Sequence, residues 1–320
     1  NMKAVVKLLF LYHNIAIISC SLGDKSVIYQ KCLSNCLQEA CSDGIKQEAK
    51  KQNVWCKLLQ WNCREECSYQ CMWHTVRSFK EIGKETPKFH GKWPFTRLMG
   101  MQEPASVMAS ILNFAANFHM YRKIFRRQVC MNAWIWSTIF HMRDTPFTEF
   151  MDYACALSMV MGLFIASIVR LCLSRPKLMS LVLLLPLFYF FTHVRYLYSG
   201  AINYDYNMKL NIFFGVLGSA VWVLISYRQY AEKRHYAWRM LAFTALSGAS
   251  LALELGDFAP VYSVWDAHAL WHLATAPLPL LFYKSLANLR IADLISQRDS
   301  EHSPFHSTLS HLELRYEANI

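Results

Sequence analysis

Residues 151–173 read MDYACALSMVMGLFIASIVRLCL, an almost uninterrupted apolar run with one Asp near its start and one Arg near its end. At about 1.5 Å per residue, a helix of this length reaches across the roughly 30 Å hydrocarbon core of a bilayer. The stretch therefore predicts a membrane-spanning helix, and the rest of the chain shows whether it stands alone.

The apolar residues recur in blocks rather than being spread evenly. The chain has 320 residues, of which 54% are hydrophobic and 17% charged, too apolar for an ordinary soluble domain. Seven spans are predicted, at residues 105–121, 129–142, 151–173, 178–198, 210–227, 238–258 and 264–286. The predicted fold is an all-α membrane protein, a seven-transmembrane helical bundle with an N-terminal disulfide-rich lumenal head.

Charged residues in the predicted loops indicate an orientation. Basic residues occupy alternate loops: Arg122, Lys123, Arg126 and Arg127; Arg170, Arg175 and Lys177; Arg228, Lys233, Arg234 and Arg239. The intervening loops carry Asp144, Glu149, Asp152, Asp205, Asp257 and Asp266. Since Lys and Arg mark the cytosolic side, the N-terminus is predicted to be lumenal. The net charge of +11 is spread over these loops rather than gathered in one aromatic-laced patch, so no nucleic-acid partner is predicted.

The first residues resemble a secretory signal peptide. Lys3 and Lys7 precede an apolar segment that ends in small residues. An additional membrane anchor is the alternative interpretation. The predicted domains are a signal peptide (1–22), a Cys-rich lumenal domain (23–100), a seven-transmembrane domain (101–290) and a cytosolic tail (291–320).

Six cysteines of the predicted head form two clusters, Cys32, Cys36 and Cys41 and then Cys63, Cys67 and Cys71. A spacing of four places cysteines on one helical face, which favours two short helices joined by disulfides. Zinc is the competing reading, although zinc sites more often use C-x2-C knuckles. The connectivity stays open, and Cys56 is left over.

The second predicted span is short. Its apolar run offers about 14 residues, or about 21 Å of helix. The helix continues through Arg143 and Asp144, or the bilayer thins around it, or sequence is missing at this point.

Ionisable side chains share one predicted depth, at the lumenal ends of the spans. The set comprises Glu103, His141, Asp152, His268 and His272. Such residues are rare in membrane segments and by default mark function. Because a helix repeats about every four residues, His268 and His272 share a face, as do Ser137 and His141.

Three imidazoles with a nearby carboxylate suit a catalytic zinc ion. A zinc ion would lower the pKa of a water molecule and polarise a carbonyl group. Asp152 could then take the proton of the water, and Ser137 could donate to the developing oxyanion. In the alternative reading, each His hydrogen bonds a neighbouring helix. Ser106 and Ser110 are interpreted as small packing residues.

Four segments resemble the post-GPI-attachment-to-proteins phospholipase family of the CREST seven-span hydrolase superfamily. They are KFHGKWPFTRLMGMQEPAS (88–106), WSTIFHMRDTPFTEFMDYA (136–154), NYDYN (203–207) and DAHALWH (266–272). The resemblance covers roughly residues 28–290. The chain departs from the family at the short second span.

The resemblance implies a site and a reaction. His141, His268 and His272 would hold Zn²⁺, with Asp152 and Ser137 around the water and the substrate carbonyl. Glu103 matches the acidic residue that opens the first motif of the superfamily, and Ca²⁺ near it is a second possible cofactor. The implied reaction removes the sn-2 acyl chain from the phosphatidylinositol of GPI-anchored proteins, at the Golgi membrane or in the endoplasmic reticulum.

A non-catalytic function is the alternative. A seven-span receptor, or a GPI-binding chaperone, would use the same histidines for a structural zinc ion. Asp152 and Ser137 favour hydrolysis, because a structural site needs no proton acceptor beside its metal.

Overall fold

The computed structural model describes residues 21–41, 53–123, 129–200 and 202–301. The predicted signal peptide up to residue 20, and residues 302–320 of the predicted tail, lie outside the described residues. The described parts are helical, with isolated β-bridges and no strand. The helices are α1 (Leu22–Lys25), α2 (Val27–Ala40), α3 (Val54–Leu58), α4 (Cys63–Glu81), α5 (Pro104–Lys123), α6 (Val129–Met142), α7 (Pro146–Leu171), α8 (Pro176–Tyr198), α9 (Tyr204–Ala231), α10 (Ala237–Glu254), α11 (Ala267–Thr275) and α12 (Leu278–Glu301).

The head consists of α2 and α4, held side by side by three disulfides. The bonds are Cys32–Cys71, Cys36–Cys67 and Cys41–Cys63, so the first cysteine of one cluster pairs with the last of the other. This order follows from two antiparallel helices whose cysteines repeat every turn. The prediction of disulfides is confirmed, and Cys56 has a free thiol.

Removing one disulfide should destabilise the head. We expect the paired substitution Cys32→Ser with Cys71→Ser to cost about 2–5 kcal/mol, because small secreted domains depend on such crosslinks. The measurement is the melting temperature of the purified protein, followed by proteolysis of the head. Cys56→Ser is the matched control, since its thiol is unpaired. Equal melting temperatures for the two variants would show that the crosslink adds no stability.

Five helices and the pair α11–α12 form a closed ring. In the ring, α5 packs on α6, α6 on α7, α7 on α9 and α9 on α10, and the pair α11–α12 completes the contacts from α10 back to α5. Helix α8 lies outside the ring, against α7. The buried side chains Met120, Trp222, Met240 and Phe282 fill the interior between four of these helices.

Three described helices, α7, α8 and α9, are long and apolar enough to cross a membrane. On α8 the large apolar side chains are mostly exposed, among them Leu181, Leu184, Leu185, Phe188 and Phe191. An exposed apolar surface of this kind suits lipid rather than water. The protein is therefore a membrane protein.

The seventh predicted span, 264–286, is two helices rather than one. Helix α11 begins at the N-cap Asp266, whose carboxylate accepts a hydrogen bond from Ala269 N at 2.8 Å. It ends after nine residues, and α12 begins at Leu278. Pro277 explains the break, because proline lacks the N–H that a continuous helix needs. Helix α12 then continues past residue 290, the predicted start of the tail.

The head contacts the bundle through a stack of side chains that we call the Trp61 clamp. The guanidinium carbons of Arg97 and Arg143 lie 3.4 Å and 3.9 Å from the centre of the Trp61 ring. On α4, Glu66 accepts a hydrogen bond from Arg97 at 2.5 Å, and Glu65 accepts one from Arg143 at 2.6 Å. Cation–π contact and ion pairing thus connect the head to the residue that follows α6.

A second junction involves Lys92, in the segment between the head and α5. Its ammonium group donates to Asp144 and, at 3.3 Å, to Glu149 at the start of α7. Burial disfavours the charge, but Asp144, Tyr204 and Glu149 outweigh it and raise the pKa of Lys92 above its ordinary value. Lys92 therefore stays charged and holds this segment against the bundle.

Candidate metal centre

Three histidine rings meet at the end of the bundle that faces the head. His141 lies in the last turn of α6, and His268 and His272 lie one turn apart on α11. The Nε2 atom of His268 is 2.8 Å from Nε2 of His272 and 3.4 Å from Nε2 of His141. The three Nε2 atoms converge on one point although α6 and α11 are far apart in sequence.

The donor set fits zinc. Nitrogen ligands at 2.0–2.1 Å from a tetrahedral zinc ion lie roughly 3.3 Å apart. The separation of His268 and His141 is close to this value, and that of His268 and His272, 2.8 Å, is shorter. Uncharged nitrogen atoms this close to one another need a shared proton or a shared cation between them. Among the residues that the structure describes, one other group has the spacing of metal ligands, Cys41, Cys63 and Cys67, and it is already disulfide-bonded.

Each ring also has a partner at its other nitrogen, Nδ1. Glu103 Oε2 lies 2.7 Å from His141 Nδ1, Glu254 Oε2 lies 2.8 Å from His268 Nδ1, and Ser110 Oγ lies 3.1 Å from His272 Nδ1. Metal-binding histidines commonly donate their second N–H to such a group, which fixes the tautomer and the ring orientation. All three rings are thus held with Nε2 toward the common point.

Glu254 and the contact of Ser110 were missed by the sequence analysis. Ser110 follows Glu103 by seven residues, two helical turns, and this spacing could have placed both on one face. Glu254 is an ionisable residue inside the predicted span 238–258, the same signal that singled out His141.

Glu103 contacts a histidine rather than a group of carboxylates. Its side chain is buried against His141. In the part of the chain that the structure describes, it joins no cluster of three residues suited to a cation. A second ion such as Ca²⁺ therefore gains no support from these contacts.

Backbone carbonyl groups of the helices that carry the histidines accept hydrogen bonds from α5 and from Glu103, the residue before it. Glu103 N donates to His141 O at 3.0 Å, and Asn113 Nδ2 donates to His272 O at 2.6 Å. The ring of Trp134 meets His272 edge-on, with centroids 5.3 Å apart. These contacts order the histidines by packing and hydrogen bonding within the chain.

Ser137 and Asp152 lie beside the histidines. Ser137 Oγ is 3.2 Å from Ser110 Oγ, and the side chain of Ser137 is a neighbour of the Asp152 carboxylate. His141, His272 and Ser137 are buried, whereas His268 and Asp152 are partly exposed. The accessible side of the centre is therefore the side formed by His268 and Asp152.

Comparison with known proteins identifies the family to which this chain belongs. A protein of Drosophila melanogaster named "Post-GPI attachment to proteins factor 3" is 40% identical over 296 residues, covering 85% of this chain and 90% of the relative. "GPI-specific phospholipase A2-like PGAP3" of Mus musculus is 36% identical over 302 residues, covering 89% of this chain and 94% of the relative. No solved structure matches the chain. The Per1-like family matches residues 53–288, a range that includes all the histidines of the centre, and the chain belongs to this family.

Proposed function

We propose that this protein is a membrane-embedded, zinc-dependent acyl-ester hydrolase that removes the sn-2 acyl chain from the phosphatidylinositol of GPI-anchored proteins. The observation that carries the proposal is the convergence of three histidine Nε2 atoms beside Asp152 and Ser137. The relatives, whose names refer to GPI attachment and to a GPI-specific phospholipase A2-like protein, support the substrate class.

The residues of the centre have different roles in the proposed reaction. His141, His268 and His272 would hold the zinc ion, which when bound supplies an acidified water and a polarised carbonyl. Asp152 accepts the proton of the attacking water, because an ionised carboxylate is an acceptor only. The ester carbonyl enters from the accessible side, past His268.

The chain crosses the membrane seven times in this proposal. The crossings are α5, α6, α7, α8, α9, α10 and the broken unit α11–α12. The head and the histidines lie at the same end of the bundle, and the alternating basic loops make that end lumenal. The substrate is then a lipid of the lumenal leaflet, as expected for an enzyme of the Golgi membrane or the endoplasmic reticulum.

Protease protection tests this topology. We expect an epitope tag in the head to be protected in sealed vesicles and a tag after residue 301 to be digested, because the two lie on opposite sides. Both tags should be digested once detergent opens the vesicles. A protected C-terminal tag in sealed vesicles would exclude an odd number of crossings.

Metal analysis paired with a lipid assay tests the activity. The purified protein should contain about one zinc ion per chain and release fatty acid from a GPI lipid labelled at sn-2, but not from one labelled at sn-1. A chelator should stop the release, and added zinc should restore it. Zinc without hydrolysis would favour the receptor or chaperone alternative, and protein without zinc would contradict the proposal.

A further inference from the structure

Two hydrogen bonds lead from one of the histidines to Ser137, which is a neighbour of Asp152. His272 Nδ1 lies 3.1 Å from Ser110 Oγ, and Ser110 Oγ lies 3.2 Å from Ser137 Oγ. The carboxylate of Asp152 interacts with the side chain of Ser137. The members come from α11, α5, α6 and α7, so the chain crosses the bundle.

Both serines lie in the dry interior. Ser110 is fully buried, and Ser137 is 5% exposed. Water does not compete for these hydroxyl groups, so each must place its one proton on a protein acceptor. The direction of the chain is therefore set by the groups at its two ends.

The His272 end fixes that direction when a cation occupies the centre. The lone pair of Nε2 then faces the cation, and a neutral imidazole must carry its proton on Nδ1. Nδ1–H donates to Ser110 Oγ, and the proton of Ser110 is left for Ser137. Ser137 passes its own proton toward Asp152, whose ionised carboxylate only accepts.

We propose that Ser110 is a positioning residue that transmits the tautomer of His272 to Ser137 and so orients Asp152. The inference rests on the proposed hydrolase function and deepens it. In this arrangement the hydroxyl of Ser137 donates its proton to Asp152 and orients the base. It therefore does not donate to the substrate oxyanion, which is the role that the sequence predicted.

The chain also couples metal binding to the base. With the centre unliganded, His272 can take the other tautomer, with its proton on Nε2 and Nδ1 as an acceptor. Ser110 then donates to His272, and the Ser110 oxygen becomes an acceptor that competes with Asp152 for the proton of Ser137. The arrangement that orients Asp152 is thus the one that the occupied centre selects.

Ser110→Ala tests the inference against a matched control, Ser106→Ala. Ser106 lies one turn earlier on α5, is equally buried, and has a hydroxyl without a partner among the described residues. We expect Ser110→Ala to weaken zinc binding, measured by chelator competition, by roughly 10-fold or more. At saturating zinc, kcat should also fall, whereas Ser106→Ala should match the unmodified protein in both measurements. Ser110→Thr keeps the hydroxyl and should restore both.

A double-mutant cycle with Ser137→Ala separates this role from a general effect on packing. If Ser110 acts through Ser137, then Ser110→Ala should lower kcat in the unmodified protein but not in the Ser137→Ala background. Additive losses, or equal behaviour of Ser110→Ala and Ser106→Ala, would overturn the inference while leaving the hydrolase proposal intact. Absence of zinc and of hydrolysis in the unmodified protein would overturn both.

Discussion

Replacing His268 or His272 with Ala should remove bound zinc and lipid hydrolysis together. Each substitution deletes one of three nitrogen ligands, and two ligands do not hold zinc against water and competing chelators. The loss of metal affinity should exceed the roughly 10–100-fold that outer partners of a metal site contribute. Zinc content per chain and fatty-acid release from the sn-2 position are the measurements.

His193→Ala is the control for this prediction. His193 is also buried in the bundle, but its Nε2 atom hydrogen bonds Asn207 at 2.9 Å, away from the centre. Its loss should lower stability without changing the zinc content. If both His268→Ala and His272→Ala keep full zinc occupancy and hydrolysis, the metal centre lies elsewhere.

Asp152→Asn should keep the zinc and lose the reaction. The amide has the shape of the carboxylate and an oxygen that can accept a hydrogen bond, so the surroundings are preserved. It cannot take a proton from water, and removing a general base typically costs about 10²–10⁴-fold in rate. The rate is to be measured at saturating zinc, because an altered neighbour can also weaken metal binding.

The paired measurement decides between two roles for Asp152. Full zinc with slow hydrolysis would assign it to the proton transfer. Loss of zinc at saturating metal would instead make it a ligand or a structural support of the centre. Full zinc with undiminished hydrolysis would exclude Asp152 as the base.

Local patterns in the sequence predicted much of the fold. Helical character follows from the apolar periods, and α6 ends at Met142, as predicted for the second span, just before the charged residues Arg143 and Asp144. The disulfide-bonded head follows from cysteines spaced at one helical turn. The seven crossings remain a prediction, since three helices reach the length and apolarity of a span.

The contacts that complete the centre were less predictable. Pro277 breaks the seventh predicted span, but the run around it is so apolar that its hydropathy predicts one continuous helix. Glu254 and Ser110 meet His268 and His272 only because α10 and α5 pack against α11. The spacing of residues in the sequence shows which of them share a face of one helix. These partners depend instead on how different helices pack against one another.

The Trp61 clamp holds one end of helix α6 in a fixed position. Arg143, held by Trp61 and Glu65, follows His141 by two residues, so the head secures the end of α6 that carries the ligand. Membranes along the secretory route differ in thickness by several ångströms, and a helix too short for its bilayer must shift, tilt or deform the lipid around it. We expect the clamp to hold the His141 end of α6 in place beside His268 and His272, so that any adjustment to membrane thickness takes place toward the other end of the helix.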